Sequence, residues 1–166
     1  MPNPDSNATL FELAIDAEKA AMDLYLGLLK KFSFLPEVSD FWNEMLKDEI
    51  QHAQELENIR DSLRPSQLSL PADPSLLQKA RKVLEFSVSD RLNSITTLDD
   101  AYELVHEFER SEVNTVFAFL MNEFVSDEKK KKFALSELRV HLAKLMDFSQ
   151  TFGDAEQRRN TMVKSS

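Results

Sequence analysis

A single Glu-x-x-His motif, formed by Glu49 and His52, lies in the second of the long helical segments that the sequence predicts. Residues three apart on a helix share one face and lie about one turn from each other. A carboxylate and an imidazole placed in this way can bind one transition-metal ion, or the carboxylate can bridge two ions. Because Glu and His also fall three apart by chance in many helices, the motif needs support from other segments.

Glu18 gives the first support, since it interrupts an apolar helix face. The residues three and four positions away are Ala14, Ile15, Ala21 and Met22, and all are apolar. A buried carboxylate without a partner is costly or takes up a proton. Glu18 therefore needs a cation, a hydrogen-bond network or a proton.

Two further segments place ionisable residues on their apolar faces. Glu109 and Glu112 form a pair of carboxylates three residues apart, and such a pair is unfavourable unless a cation lies between its members. His141 lies in the apolar seam of the last helix. The predicted ligand set is Glu18, Glu49, His52, Glu109, Glu112 and His141. Four carboxylates would neutralise two divalent ions, and mixed oxygen and nitrogen ligands fit iron or manganese, with zinc as a further candidate. The alternative is a bundle whose buried polar groups pair with one another or with Arg and Lys.

Hydrophobic periodicity predicts four long helices that would carry these side chains. They span about residues 9–32, 37–64, 97–124 and 127–152, and a shorter helix follows Asp73-Pro74 and reaches about Phe86. The first helix starts at a capping box formed by Thr9 and Glu12, and Gly153 closes the last helix. The short link between the first two helices predicts antiparallel neighbours, whereas residues 65–96 form a long crossover. The sequence thus predicts an all-α, antiparallel four-helix bundle in one domain (1–153), followed by a polar tail (154–166).

Composition excludes several classes of function. The 166-residue chain has no Cys, which removes disulfides, thiol catalysis, Cys-ligated zinc and iron–sulfur clusters. A net charge of −9 disfavours nucleic acid or an anionic membrane as a partner. No apolar run reaches membrane-spanning length and the N-terminus lacks signal-peptide character, so we expect a cytoplasmic protein.

The ordered set of motifs resembles the ferritin-like superfamily, and most closely the diiron domain of rubrerythrins. The matching pieces are Glu18 with Tyr25 seven residues later, Glu49-Ile50-Gln51-His52-Ala53, and Glu109-Arg110-Ser111-Glu112. The long crossover matches as well, and the likeness covers about residues 9–152. The resemblance implies a non-haem diiron oxidoreductase that reduces peroxide or dioxygen, with ferroxidase activity as another role. It also implies two iron ions, a homodimer, and a hydrogen bond from Tyr25 to a ligand carboxylate.

Two departures from the rubrerythrin pattern bear on this interpretation. The family's fourth helix normally carries a second Glu-x-x-His, but here Leu138 occupies the position of that Glu. The nearest carboxylate is Glu137, four residues before His141 on the same helix face, and it is a weaker candidate ligand. The loss of the family's Glu would leave Glu49 as the main bridge between the ions. The absence of Cys also means that there is no rubredoxin module. Electrons would have to come from an external electron-donor protein or another reductant.

Leu138 favours a second hypothesis, in which the chain is a non-catalytic ferritin-like bundle with a degenerate metal site. It would bind one metal ion or none and act as a binding or assembly module. A third hypothesis, zinc-dependent hydrolysis, lacks a nucleophile or base motif. Tyr102 is a weaker candidate than Tyr25 for a role beside the metals, and His106 fits a structural or exposed position. Phe34 and Phe86 are candidate residues of a dimer interface.

Overall fold

The computed structural model describes residues 3–148, and these residues are helical except for short connections. The helices are α1 (Asn7–Lys31), α2 (Pro36–Ser62), α3 (Pro65–Leu68), α4 (Pro74–Leu84), α5 (Val88–Asn93), α6 (Leu98–Glu109), α7 (Val113–Phe124) and α8 (Glu128–Met146). Residues 3–148 contain no strand, although Ser6 and Pro71 form an isolated β-bridge. The prediction of an all-α protein is therefore confirmed. Over the same residues, no helix combines the length and the apolar character that a membrane span requires.

The first helix begins two residues earlier than predicted. Ser6 is its N-cap, and the Ser6 hydroxyl accepts a hydrogen bond from the Thr9 amide at 3.3 Å. The predicted capping box of Thr9 and Glu12 is wrong, because the Thr9 hydroxyl instead donates to the Asn3 carbonyl at 2.7 Å. The link to α2 is short, and Pro36 occupies the first turn of α2, where its missing N–H costs nothing.

Three shorter helices, α3 to α5, connect α2 to α6. The start of α4 is as predicted: Asp73 is its N-cap and accepts a hydrogen bond from the Ser75 amide at 2.8 Å, and Pro74 follows it. α4 ends at Leu84, two residues before the predicted end, and α5 lies in a part of the predicted crossover to which the sequence assigned no helix. Gly27 of α1 allows a close approach of α5, since a Cβ at this position would collide with Leu92.

The predicted third long helix is wrong as a continuous element, because it is broken between α6 and α7. The helix ends at Glu109, and side chains that follow it form hydrogen bonds with its last carbonyl groups. The Ser111 hydroxyl donates to the Phe108 carbonyl, and the Asn114 amide group donates to the Glu109 carbonyl at 3.0 Å. Side chains of Ser and Asn compete with the helical hydrogen bonds in this way and can end a helix. The break displaces Glu112 from the face that carries Glu109.

The last described helix, α8, begins where the sequence predicted. Asp127 is its N-cap and accepts hydrogen bonds from the Lys129 and Lys130 amides at 2.9 and 3.3 Å. α8 ends at Met146. The predicted end near Phe152, the closing Gly153 and the polar tail 154–166 lie outside the described residues.

The core consists of two apolar clusters, each built from several helices. The first includes Leu24, Tyr25, Met45, Trp42, Phe108, Leu145 and Phe148, and the second includes Leu10, Phe11, Leu56, Phe117 and Leu138. Buried polar residues separate the clusters along the chain. On α2, Glu49 and His52 lie between the first cluster's Met45 and the second cluster's Leu56. A polar layer therefore lies between the two halves of an otherwise apolar core.

Candidate metal centre

The polar layer brings together five of the predicted ligands from four helices. Glu18 lies on α1, Glu49 and His52 on α2, Glu109 on α6 and His141 on α8, and none is more than 7% exposed. Their ligand atoms form two groups: Glu18, Glu49 and His52 in one, and Glu49, Glu109 and His141 in the other. Within each group, one ligand atom per residue lies within 4.8 Å of the others. Both groups could hold a metal ion, and they share Glu49.

The first group leaves buried polar atoms without hydrogen bonds. His52 Nδ1 lies 3.4 Å from Glu49 Oε2 and 3.7 Å from Glu18 Oε2. Neither carboxylate oxygen of Glu18 has a hydrogen-bond partner among the described residues, and His52 Nδ1 has none either. Buried polar atoms are nearly always satisfied, and unsatisfied ones cost free energy. A cation between these atoms would satisfy them, so the residues present fit a bound metal.

The second group is held by closer contacts. His141 Nε2 lies 2.6 Å from Glu49 Oε1 and 2.8 Å from Glu109 Oε1. The Tyr25 hydroxyl donates to Glu109 Oε1 at 2.6 Å, and Asn114 Nδ2 donates to Glu109 Oε2 at 2.8 Å. Glu109 is therefore fixed by side chains from α1 and α7 on both of its oxygens. The contact of Tyr25 with a candidate ligand carboxylate is the one that the resemblance implied.

Asp48 positions the other side of His141. Asp48 Oδ2 accepts a hydrogen bond from His141 Nδ1 at 2.9 Å, and Lys144 Nζ donates to the same oxygen at 3.1 Å. A carboxylate on one ring nitrogen of a ligand histidine fixes the ring and directs the other nitrogen to the metal. Here that other nitrogen, Nε2, faces Glu49 and Glu109. Asp48 thus positions His141 and belongs to neither ligand group of the described residues.

The pKa values of the cluster show how strongly its members interact. Burial alone would lower the pKa of His52, but Glu18 and Glu49 outweigh it and raise the pKa to about 10. Burial also opposes protonation of His141, yet Asp48, Glu109 and Glu49 raise its pKa to about 12. Burial and the neighbouring Glu49 raise the pKa of Glu18 well above its usual value. The protons on the two imidazoles supply positive charge that a metal ion would otherwise bring.

The pKa values of Glu49 and Tyr25 are shifted in opposite directions. Burial would raise the pKa of Glu49, but Glu18, His141 and His52 outweigh it and hold the pKa below its usual range. Burial, together with the charge of Glu109, raises the pKa of Tyr25 well above its usual value. Glu49 is therefore the ionised carboxylate at the centre of the cluster, and Tyr25 is a neutral hydrogen-bond donor.

The donor set suits ions that accept both carboxylate oxygen and imidazole nitrogen. No protein-family model, curated protein or solved structure matches this chain. Its function must therefore be inferred from the cluster itself.

Two predicted ligands lie outside both groups. The Glu112 side chain follows the break after α6, is 41% exposed, and lies 4.0 Å from Lys79 Nζ. Glu137 is half-buried on α8, where its charge contributes to the raised pKa of Glu55. Neither residue belongs to a ligand group of the described chain. Leu138 is 6% exposed and packs in the second apolar cluster.

The remaining candidates also lie away from the ligand groups. Tyr102 and His106 stack on each other with ring centroids 5.7 Å apart, and both line a surface groove of about 500 Å³. Phe34 and Phe86, predicted as interface residues, are half-buried and pack against the first apolar cluster. Phe86 contacts the Phe108 ring at 5.3 Å between centroids. The homodimer stays a prediction.

Sequence reasoning missed Asp48 and Asn114. Asp48 precedes Glu49 and lies off the apolar stripe of α2, so periodicity gave no reason to select it. Asn114 was missed because the third helix was predicted as continuous, which placed this side chain on another face. A search for carboxylates on the turn of α2 that faces His141 could have found Asp48, provided that the packing of α2 beside α8 was assumed.

Proposed function

We propose that this chain is a non-haem diiron oxidoreductase of the rubrerythrin type, which reduces peroxide or dioxygen. The observation that carries the proposal is the pair of buried Glu/His groups that share Glu49. In this proposal, α1, α2, α8 and the broken pair α6–α7 are the four helices of an antiparallel ferritin-like bundle. The segment from α3 to α5 is then the long crossover.

Each ligand group would hold one ion. Glu18, Glu49 and His52 would hold the first, and Glu49, Glu109 and His141 the second. Carboxylate and imidazole ligands fit iron, and they also accept manganese or zinc. Bound iron supplies the one-electron redox chemistry that these side chains lack and that reduction of an O–O bond requires.

The protein's own residues prepare the site for that chemistry. Tyr25 and Asn114 hold the two oxygens of Glu109, and Asp48 holds the ring of His141. The apolar clusters on either side keep bulk water out of the polar layer, which strengthens every interaction between charges within it. The ligands are thus positioned by contacts that exist in the folded chain and need little rearrangement on metal binding.

Leu138 supports a second candidate function, a non-catalytic bundle that serves as a binding or assembly module. The rubrerythrin pattern expects a ligand Glu at this position, whereas Leu138 is buried among apolar residues. α8 then contributes His141 alone to the groups. In this candidate the cluster binds an ion, or none, without reacting with an oxidant.

Anaerobic loading with Fe(II), desalting and addition of hydrogen peroxide distinguish these functions. We expect peroxide consumption together with the absorbance of bound ferric iron in the wild type. Glu49→Gln should lose both signals, whereas the matched control Glu44→Gln, at an exposed position of the same helix, should retain them. Bound iron that does not react with peroxide would favour the second candidate. A folded chain that retains no iron would overturn the diiron proposal.

A further inference from the structure

The chain contains one Trp, two Tyr and no Cys, so it has few side chains that can be oxidised by one electron. The rings of Trp42, Tyr25 and Tyr102 all belong to one connected group of aromatic side chains. The Tyr25 and Trp42 centroids are 6.0 Å apart with an interplanar angle of 29°. The Phe148 ring contacts both Trp42, at 5.2 Å and 31°, and Tyr102, at 5.3 Å and 22°. Tyr25 therefore contacts Trp42 directly, and Phe148 joins Trp42 to Tyr102 in one ring chain.

The inner end of this ring chain touches the Glu/His cluster. Tyr25 is fully buried, and its hydroxyl donates to Glu109 Oε1 at 2.6 Å. Glu109 in turn belongs to the ligand group that contains Glu49 and His141. The Tyr25 ring also meets the His141 ring edge-on, at 6.2 Å between centroids. Tyr25 thus contacts two members of the same ligand group.

The outer end reaches the surface. Tyr102 is partly exposed and lines a groove of about 500 Å³, together with Glu103, His106, Glu107, Arg110 and Ser111. The groove gives small solutes access to the Tyr102 ring. The ring chain therefore joins the buried cluster to a place where a reductant in solution can arrive.

Trp42 lies between the two tyrosines and differs from them in one respect. It is fully buried, and its Nε1–H has no hydrogen-bond partner within residues 3–148. Buried Trp N–H groups usually have a partner. Without an acceptor for this proton, an oxidised Trp42 keeps it and remains a radical cation. That cation is a stronger oxidant than a deprotonated indole radical and can accept an electron from a tyrosine.

We propose that Tyr102, Trp42 and Tyr25 pass single electrons from the surface groove to the Glu/His cluster. The proposal rests on the proposed function for its oxidant, a cluster metal ion oxidised by peroxide or dioxygen. With an oxidised ion bound, Tyr25 would supply one electron, and its phenolic proton would move along the existing hydrogen bond to Glu109 Oε1. Trp42 then reduces the Tyr25 radical, which recovers its proton from Glu109. This step is uphill, because the Trp42 radical cation is the stronger oxidant, and the rapid reduction of that cation by Tyr102 draws the transfer forward.

Tyr102 completes the transfer at the surface. It gives one electron to the Trp42 radical cation and releases its phenolic proton to water in the groove. A one-electron donor of the ascorbate class then reduces the Tyr102 radical, which takes a proton from water. The net reaction moves one electron from the donor to the oxidant, and every aromatic side chain returns to its starting state.

Laser photoionisation of the metal-free protein tests the path without the metal. Indole absorbs at wavelengths where phenol does not. Because Trp42 is the sole tryptophan, light of such a wavelength oxidises one known residue. We expect the transient absorbance of the indole radical to decay as that of a tyrosyl radical rises. The rate should not depend on protein concentration, since the transfer is intramolecular.

Tyr→Phe variants identify the electron donors and keep the rings that pack in the core. Tyr25→Phe should retain electron transfer from Tyr102 to oxidised Trp42, and Tyr102→Phe should retain electron transfer from Tyr25. The double variant should lose the tyrosyl signal and show a long-lived indole radical. Equal indole decay in the wild type and the double variant would overturn the proposal. Loss of transfer in Tyr25→Phe alone would also overturn it, because the surface branch through Tyr102 would then be absent.

The photochemical test separates this inference from the proposed function. A protein that binds no iron but shows transfer from both tyrosines to Trp42 would refute the diiron oxidoreductase and leave the electron path established. A protein that binds iron and reacts with peroxide, but shows no transfer, would refute the path alone. Circular dichroism of each variant verifies that the helices are intact.

Discussion

At the scale of single residues, Asp48 decides which nitrogen of His141 faces the carboxylates. Its Oδ2 atom accepts from His141 Nδ1 and from Lys144 Nζ, so the imidazole is held in one orientation. We expect Asp48→Asn to weaken metal binding by about 10–100-fold, the usual range for losing a carboxylate behind a ligand histidine. Competition with a chelator of known affinity measures this change. Asp40→Asn, at an exposed position of the same helix, should leave the affinity unchanged, and an equal effect of the two variants would contradict the role of Asp48.

Protons compete with metal in this cluster. At neutral pH both imidazoles are protonated, because their pKa values are about 10 for His52 and about 12 for His141, and Glu18 has a raised pKa. A metal ion requires neutral imidazole, so filling both groups should release about two protons at pH 7, one from each histidine, and affinity should rise with pH. Calorimetry in buffers of different ionisation enthalpy counts these protons. Binding without proton release would contradict the arrangement described for His52 and His141.

The candidate ligands were predictable from the sequence because each interrupts an apolar stripe. Glu18, Glu49, His52 and His141 lie at positions where helical periodicity requires an apolar residue, and burial of a charged group there calls for a partner. Asp48 and Asn114 were not predictable in this way. Asp48 contacts His141, which lies 93 positions later in the chain, and Asn114 contacts Glu109, which lies five positions earlier. Asp48 depends on how two helices are rotated against each other, and Asn114 on a local break.

At the scale of helices, the break between α6 and α7 separates Glu109 from Glu112. No Gly or Pro occurs between Phe108 and Val113, so the sequence lacked the usual signals of a helix end. Side-chain hydrogen bonds from Ser111 and Asn114 close the first helix instead. A pattern of three-residue spacing assumes an unbroken helix, and this assumption failed here. The start of α4 after Asp73 and the start of α8 at Asp127 were predicted correctly because the signal of an N-cap is local.

The other helix-scale question is the register of α8, where Leu138 lies one turn before His141. Leu138→Glu should lower the free energy of unfolding of the metal-free protein by about 2–4 kcal/mol, since it replaces a packed leucine with a buried carboxylate. If this turn of α8 faces the ions, added Fe(II) should restore the stability and bind more tightly than to the wild type. Thermal unfolding with and without Fe(II) measures both effects.

Leu138→Gln is the matched control for this prediction. It changes the shape of residue 138 in nearly the same way but adds no charge, so it should destabilise the protein without a gain in metal affinity. If the glutamate variant behaves like the glutamine variant, Leu138 does not occupy a ligand position. The resemblance to the rubrerythrin pattern at α8 would then be limited to His141.

At the scale of the whole molecule, the polar layer makes the core less stable than an apolar core would be. Glu18 is buried, and its carboxylate oxygens have no hydrogen-bond partner among residues 3–148. Glu18→Met, which has a similar volume and no polar atom, should raise the free energy of unfolding of the metal-free protein by about 1–3 kcal/mol. The same variant should lose the stabilisation that Fe(II) gives to the wild type, because metal binding to the folded state alone raises stability.

Chemical denaturation of the metal-free and Fe(II)-loaded proteins tests the whole-molecule prediction. Lower stability of the metal-free Glu18→Met protein would mean that Glu18 has a structural partner and is not retained for a ligand.

The general arrangement at this scale followed from the sequence, since few glycines and long apolar periodicities favour helices throughout. The division of the core into two clusters could not be predicted in the same way. It depends on all four ligand-bearing helices placing their polar residues at one level.

The central claim is that the five buried side chains bind two metal ions that share Glu49. The most direct test is the number of Fe(II) ions per chain at equilibrium under anaerobic conditions, measured by dialysis and elemental analysis for the wild type, Glu49→Gln and Glu44→Gln. We expect two ions per chain in the wild type and in Glu44→Gln, and a loss of both tightly bound ions in Glu49→Gln because both groups contain Glu49. Absence of bound iron in a folded wild-type protein, or binding that Glu49→Gln does not change, would contradict the claim.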